Sequence, residues 1–534
     1  MSSVLGGTPP CALMSSAAAS CRLSLCAGGC ERASQALDWA WDDIDDSSEG
    51  RSDRCNDDSD TSLLSGVCYY ACSNLVLCYC PALYRVTASL RGHSAPVRCV
   101  RALSSTSVLS GSLDGTVREW TVDAPTGRYD CVSTLSGHSS GVTALDACCV
   151  ANWASPTSAP LRVLAAASGS GVHVWLSSAA GHWRVGQLIP LPPQRRAMCV
   201  SLCVLYVRTG AIVHLTVGGV DCRVALLLCH IDTALLADAV TFALPPADPQ
   251  LPPLSTPPPS PSPSSSSCPL SFVAAVSLSG HTDWVRSLSA TVLNEQHEPH
   301  EQRPPQAQPA ADVQFVSGAS VLLASAAQDK TVRLWKVQWT ELSGTAEGEA
   351  GAEAATRKAA AAARGLAVSS LGSRGYVVHM CGLRGLLLFD SLLSGHDDWV
   401  MAVQLTQQKP LPGGPSSPPL SIAVDGADMS PSTGRPSWCV ARQSVAAVPS
   451  SAVRLLSCSA DNSAIVWSPA ASASASSIWQ ISARLGELSS GGTHGLYGAR
   501  WGSGHRAVIA HGSASTVQHS THAALLPSSL DEPH

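Results

Sequence analysis

Apolar and polar residues alternate over short runs through most of the chain, the period of two that turns one side of a β-strand inward and the other outward. The clearest runs follow a Gly-His pair: GHSAPVRCV from Gly92, GHSSGVTAL from Gly137, GHTDWVRSL from Gly280 and GHDDWVMAV from Gly395, each with Val four residues after the His. A second block lies downstream of each pair. The blocks are VLSGSLDGTVREW ending at Trp120, VLAAASGSGVHVW at Trp175, LLASAAQDKTVRLW at Trp335 and LLSCSADNSAIVW at Trp467. In three of them an Asp (Asp114, Asp329, Asp461) stands six residues before the Trp. That offset predicts a strand, a tight turn at Asp-Gly, Asp-Lys or Asp-Asn, and a second strand closing on the aromatic.

Four strands per unit, with Gly-His at one end and an aromatic at the other, resemble the blades of WD40 β-propellers, so the expected fold class is all-β. The residue types at these positions suit a structural network. Neutral imidazole both donates and accepts a hydrogen bond, so a His in the loop before the first strand can bridge the turn Asp and, through a strand Ser, the Trp indole N–H. His93, Ser112, Asp114 and Trp120 form the most complete expected set, and His396, Ser459, Asp461 and Trp467 match it. In the unit of His281, Asp329 and Trp335 the Ser position reads as Ala327, and in the unit of His138 and Trp175 the turn Asp is replaced by Gly169. Both of those networks are expected to be partial.

Three further segments read as degenerate blades: Ser65 to Tyr79, Ala211 to Cys229 with a turn at Gly-Val-Asp and no final Trp, and Leu496 to Gly512. A ring of about seven blades, the last incomplete, follows, and radial packing would hide its sheet edges. The propeller is placed at residues 28–512, with a disordered extension at 1–27 and an irregular tail at 513–534. Insertions interrupt it at 244–267, 294–312, 345–365 and 409–449. The first is Pro/Ser-rich and too poor in apolar side chains to pack. The third, TAEGEAGAEAATRKAAAAARG, has helix-forming composition with acids first and bases last, which suits the helix dipole.

Composition changes this picture little. The charged fraction is 13%, about half the usual value, and Lys numbers four against 29 Arg, so bias in Ala, Ser and Arg makes composition a poor guide. A net charge of -6 without a run of Lys or Arg argues against a chain that holds nucleic acid by itself, since phosphate contacts need concentrated positive charge. The 21 Cys are scattered through apolar runs and not set at zinc-site spacings, so they read as small buried hydrophobes in a reducing compartment; the densest group, Cys21 to Cys30, has no neighbouring His or Cys pair to complete a metal site. No secretory signal opens the chain, and Arg22 is the single basic residue in a first stretch whose Ser and Ala content is that of a transit peptide. No uncharged run is both long and apolar enough to span a bilayer. A cytoplasmic location, with the nucleus also open, is expected.

One catalytic motif is present. GHSSG, Gly137 to Gly141, satisfies the nucleophile-elbow pattern and would make Ser139 an esterase nucleophile, but the elbow needs a helix after it, and VTALDACCV follows here in register with three other Gly-His pairs. No phosphate loop, dinucleotide glycine pattern or His-Glu-x-x-His signature occurs. Function then rests on surfaces. The Gly-His loop and the Asp turn open on one face of a propeller, so Asp283, Trp284, Asp398 and Trp399 are expected there as partner-binding residues, aromatic anchors beside acids.

The stretch GHTDWVRSL with LLASAAQDKTVRLWKV, then GHDDWVMAV with LLSCSADNSAIVWSP, then ARLGEL, GLYG and HRAVIAHG, resembles the WD-repeat subunits of the Elongator complex. GGCERASQALDW, Gly28 to Trp39, is similar to the Gly-Cys-Asn start of that family's first blade, with Glu31 in place of Asn. The resemblance covers about the first of the family's two propellers. It implies a non-catalytic scaffold without cofactors of its own, bound to the large scaffold subunit and to the catalytic subunit. That subunit uses S-adenosylmethionine, an iron-sulfur cluster and acetyl-CoA to modify the wobble uridine, U34, of tRNA. Contact with tRNA would be at most indirect, and neither a membrane nor a small-molecule substrate is implied. The alternative from another class is a WD40 adaptor or substrate receptor of a ubiquitin ligase or signalling complex, which the fold permits equally.

Overall fold

The computed structural model describes residues 35–40, 67–80, 83, 85–104, 106–123, 126–151, 160–178, 182–192, 194–207, 210–243, 270–294, 319–341, 366–372, 375–407, 453–470, 478–485, 495–501, 507–512 and 521–526. Within them seven antiparallel sheets follow one another along the chain. The first holds β1 (Leu37–Ala40), β2 (Val67–Cys72), β3 (Leu75–Cys80) and β4 (Arg85–Arg91). The second holds β5 (Val97–Ser104), β6 (Ser107–Ser112), β7 (Val117–Asp123) and β8 (Arg128–Leu135). The third holds β9 (Val142–Val150), β10 (Leu161–Ser168), β11 (Gly171–Ser177) and β12 (Arg184–Pro190). The fourth holds β13 (Ala197–Val207), β14 (Gly210–Gly219), β15 (Val224–Ile231) and β16 (Val273–Leu278). The fifth starts with β17 (Val285–Asn294), β18 (Ala319–Ala327) and β19 (Thr331–Glu341); a hairpin, β20 (Leu366–Ser370) and β21 (Gly375–Met380), then lies outside its fourth strand, β22 (Leu383–Ser394). The sixth holds β23 (Val400–Gln407), β24 (Val453–Ser459), β25 (Ala464–Pro469) and β26 (Trp479–Leu485). The seventh has three strands, β27 (Leu496–Trp501), β28 (Ala507–Gly512) and β29 (Thr521–Leu526).

The first strands β1, β5, β9, β13, β17, β23 and β27 pack side by side in that order, and β1 packs on β27, so the sheets close into a propeller of seven blades with the last one incomplete. Burial is greatest in the second strands and least in the outermost ones. β6, β10 and β14 are buried along their whole length, whereas β4 and β12 are mostly exposed or half-exposed. Second strands lie between two blades and must be thin, which explains their Ser, Ala, Gly and Val content. A Cβ on Gly111 would stand 2.6 Å from Cys99 Sγ and 2.7 Å from Val142 Cγ1, and one on Gly218 would stand 2.7 Å from Val285 Cγ1. Both valines open the first strand of the following blade, so larger side chains there would wedge neighbouring blades apart.

Three features differ from the sequence expectations. Thr521–Leu526, placed in the irregular tail, pairs with β28; it lacks the terminal Trp that marks the second, third, fifth and sixth blades. Asn294, assigned to an insertion, is the last residue of β17. A helix, α1 (Thr233–Ala243), follows β15, started by Asp232, whose Oδ1 accepts the Leu235 N–H at 2.7 Å. The insertions 244–267, 345–365 and 409–449, the rest of 294–312, the extension 1–27 and the Cys21 to Cys30 cluster lie outside the described residues. Cys68, Cys78, Cys99, Cys148, Cys199, Cys203, Cys229 and Cys458 are buried and carry no disulfide; burial pushes the Cys78 thiol up to about 12. Among the described residues no helix is long and apolar enough to cross a membrane.

Polar side chains tie the first strands around the channel. Asp38 Oδ2 accepts the Ala102 N–H at 2.8 Å, Arg101 Nε pairs with Asp146 Oδ1 at 2.9 Å, and Asp146 Oδ2 accepts the Leu202 N–H at 2.8 Å. Arg500 Nε stands 3.3 Å from Asp38 Oδ1, carrying the chain of contacts across the seam between the last blade and the first. Gln35 Nε2 donates to Val200 O and its Oε1 accepts the Leu145 N–H, while Ser287 and Ser289 accept the Val403 and Leu405 N–H groups. Asp38 is buried between two guanidiniums, so D38N removes a charge that both need. It should lower stability by about 3 to 5 kcal/mol in urea unfolding, and an unchanged midpoint would show that the seam is held elsewhere.

Candidate functional site

Every Gly-His loop precedes a first strand, and every Asp turn joins a second strand to a third, so both meet at one end of the ring. In the second blade Trp120 Nε1 donates to Ser110 Oγ at 2.8 Å, Ser110 Oγ lies 2.8 Å from His93 Nε2, and His93 Nδ1 lies 2.8 Å from Asp114 Oδ2. A carboxylate only accepts, so the His93 proton sits on Nδ1 and Nε2 accepts from the Ser hydroxyl. Asp114 also accepts from the Thr116 hydroxyl and N–H and from the Ser94 N–H. The sixth blade repeats the relay with Trp467, Ser457, His396 and Asp461 at 2.8, 2.8 and 3.0 Å.

The relay serine is therefore not the expected one. Trp120 pairs across the ladder with Val108, so its indole reaches the next residue on the same face, Ser110, and Ser112 lies one step too far. Ser112 instead donates to Ala95 O and accepts the Asp114 N–H; Ser459 does the same between Asp398 O and the Asp461 N–H. The same two-residue shift corrects the fifth blade. Ser325, not Ala327, donates its hydroxyl to His281 Nε2 at 2.8 Å, and His281 Nδ1 lies 2.8 Å from Asp329. That relay is incomplete at its other end, because the buried Trp335 Nε1 finds no acceptor and its ring packs edge-on against Phe389, with centroids 5.2 Å apart.

The third blade replaces the relay. His138 packs against His173 with ring centroids 4.0 Å apart, Trp175 Nε1 has no acceptor, and where a turn Asp would stand Gly169 donates its N–H to Ser140 Oγ. Ser139 Oγ donates to Ser170 Oγ at 2.7 Å. The loop carrying Ser139 joins strand β8 to strand β9, so the strand-to-helix elbow of an esterase is not formed there. A contact that the sequence pattern did not mark joins the fourth and fifth blades: Trp339 Nε1 donates to the wholly buried His214 Nε2 at 3.0 Å. Among the described residues no three of His, Cys, Asp and Glu come close enough together to hold a metal ion.

The structure brings the two Asp-Trp pairs onto the Gly-His face of adjacent blades. Trp284 and Trp399 are 42% and 45% exposed. Each preceding Asp is turned to its own loop, with Asp283 Oδ1 accepting the Trp284 N–H and Asp398 Oδ1 the Trp399 N–H, at 2.7 and 2.8 Å. Sequence reading missed what stands between the indoles. The Arg286 guanidinium lies 5.2 Å from the Trp284 ring centroid and 6.0 Å from that of Trp399, binding the pair by cation–π attraction.

These networks set a pH response. Burial lowers the pKa of His93, with Asp114 opposing; burial lowers His138 to about 4, aided by the neighbouring His173; and burial lowers His214 to about 4. Burial acts on Asp114 in the opposite sense, but hydrogen bonds from Thr116 and His93 outweigh it and hold the carboxyl at about 2. Unfolded chains take up the His protons near pH 6.5 and the folded ring resists until lower pH, so stability is full above 6.5 and is lost on falling toward 4. Asp114 adds a second loss between 3.8 and about 2. Urea midpoints across pH should follow this course, and replacing His138 and His214 with Gln should flatten the upper limb. S110A should speed hydrogen exchange at the Trp120 indole and cost about 1 to 3 kcal/mol, whereas S112A should leave that indole protected.

Comparison with known proteins follows the same lines. The family model for the WD domain, G-beta repeat, matches residues 84–121 and 129–175. Elongator complex protein 2 of Dictyostelium discoideum is 23% identical over 475 residues, covering 83% of this chain and 42% of the relative. The Arabidopsis thaliana protein of that name is 24% identical over 465 residues (84% and 42%), and that of Mus musculus is 22% identical over 455 residues (84% and 40%). The chain thus spans less than half the length of the curated relatives it matches. Repeat signature, ring architecture and these alignments agree that the chain is a WD40-repeat β-propeller protein similar to Elongator complex protein 2 over most of its own length.

Proposed function

We propose that the chain is a non-catalytic scaffold propeller of an Elongator complex, supporting assembly for wobble-uridine modification of tRNA. The observation that carries this reading is the similarity to Elongator complex protein 2 from several organisms, which runs through more than four fifths of the chain. The same alignments favour it over a ubiquitin-ligase or signalling adaptor, for which the fold alone would serve equally. The partners are the large scaffold subunit and the catalytic subunit, and tRNA is engaged at most through them. The chain works in the cytoplasm, with a nuclear pool also compatible.

Physical support comes from the Gly-His face. Two exposed indoles on neighbouring blades, clamped by one guanidinium, offer a large apolar area at little entropic cost on binding. A net charge of -6 without a run of Lys or Arg argues against the chain holding RNA by itself. Affinity purification of the tagged chain from its own cells, with mass spectrometry of everything recovered, should return the catalytic and scaffold subunits of Elongator. The W284A/W399A variant should recover them at least about tenfold less well. Cullin or kinase components in place of Elongator subunits would sink the proposal.

A further inference from the structure

The fifth blade departs from the second and sixth at one corner. In those two blades the terminal Trp donates its indole N–H to the relay serine. The fifth blade keeps the same ladder register, with Trp335 opposite Leu323 and Ser325 two residues on, so its serine stands in the same relation to the indole. The hydrogen bond is not made, because the ring packs edge-on against Phe389, its ladder partner on the outer strand. The second blade has Cys131 at that place, and Arg118 donates to its sulfur. Arg333 stands where Arg118 does, but its guanidinium lies over the Phe389 ring, 5.6 Å from the centroid, and its buried Nε has no acceptor. Among the described residues no carboxylate pairs with it. Phe389 thus leaves two donors without acceptors, which is a cost to the blade taken alone.

The same side chain is open to solvent. From Leu383 to Leu388 the outer edge of β22 is paired with β21, and Val378, Met380, Leu383 and Leu387 are buried with Leu226 and Leu278 of the fourth blade, so the boundary between the two blades is sealed there. Beyond Leu388 the pairing with β21 ends. Phe389 and Leu392, opposite Trp335 and Arg333 in the ladder, lie on the side that faces the fourth blade and are 41% and 49% exposed. Asp390, between them, is skipped by the ladder, and its carboxylate accepts the Ser391 hydroxyl at 3.0 Å. Two large apolar side chains in water beside an unpaired cation, kept at the expense of hydrogen bonds, suit contact with another molecule better than they suit the fold.

We propose that this outer corner of the fifth blade is a second docking point for a partner subunit, one that takes a segment whose apolar side chain packs on Phe389 and Leu392 while an adjacent carboxylate pairs with Arg333. The inference rests on the scaffold reading above and names the chemistry of its partner. A guanidinium stacked on an aromatic ring keeps its edge N–H groups free, and their planar fork matches a carboxylate. Covering Phe389 and Leu392 excludes water from that pair and strengthens it. The third blade supplies an internal comparison. Val185 and Leu188 occupy the corresponding ladder positions opposite Trp175 and His173, and are exposed too, but no guanidinium stands beneath them.

The test uses the tagged full chain in its own cells, with the photoreactive residue p-benzoylphenylalanine replacing Leu392 and, in a separate chain, Leu188. Irradiation should join position 392 to an Elongator subunit at a peptide that carries Asp or Glu beside an apolar side chain, and position 188 should not reach that peptide. R333Q in the Leu392 chain should lower the yield of that cross-link at least about fivefold, and R333K, which keeps the charge and loses the fork, should give an intermediate yield. Recovery of Elongator subunits with no cross-link at position 392 overturns the inference and leaves the scaffold reading standing. Equal yields with Arg333, R333Q and R333K, or a cross-linked peptide without an acid, overturn it as well, as does a cross-link only to a second copy of this chain. Failure of the wild type to recover any Elongator subunit overturns the scaffold reading itself, and this inference with it.

Discussion

A four-stranded sheet leaves two apolar faces in water, and in this molecule each face is covered by the neighbouring blade. The apolar clusters show the constraint directly, because each is shared between neighbours: Val97 and Trp120 with Tyr69 and Cys78, Leu109 with Leu145 and Leu164, Val213 with Val163 and Val174, Leu226 with Val321 and Trp339. No blade owns a core, so none is stable by itself. Everything else serves the fit between neighbours. Second strands are thinned to Gly, Ala, Ser and Val, and the polar relays pin the turns so that the flat faces stay in register.

Much of this was legible in the sequence, and the part that was not shares a cause. The Gly-His pairs, the turn Asp residues and the terminal Trp residues mark local geometry, and their spacing is fixed within one hairpin. The relay serine was misplaced by two residues because Ser110 and Ser112 both lie on the same face of β6. Only the ladder partner of Trp120 tells them apart. Contacts between blades left no periodic trace at all. Trp339 meets His214, Arg162 pairs with Glu119 at 2.6 Å, and Arg101 joins Asp38 to Asp146, all between residues far apart in sequence. The β20 and β21 hairpin carries neither signature, so its addition to the edge of the fifth blade could not be read from repeats.

The candidate binding face shows the same division. Asp283-Trp284 and Asp398-Trp399 announce themselves as a repeated tripeptide with Val, and both loops do reach one face. Arg286 was in plain view two residues after Trp284, but its role depends on the bulge that turns it toward the neighbouring loop. Bulges are properties of paired strands, and a single strand read alone does not reveal them.

The seam has a consequence for how the molecule is made. Among the described residues the first and last blades share no strand, and Asp38 and Arg500 meet across that boundary through their side chains. During synthesis Asp38 can find Arg101 as soon as the second blade exists, so the first three blades can settle early around a common polar hub. Arg500 arrives only after nearly every other inner strand. Until then both ends of the growing arc expose faces that have no mate, and the closing encounter has a very large separation along the chain. Nascent arcs of this protein are therefore natural clients for chaperones, and their dependence should fade abruptly when the last inner strand docks.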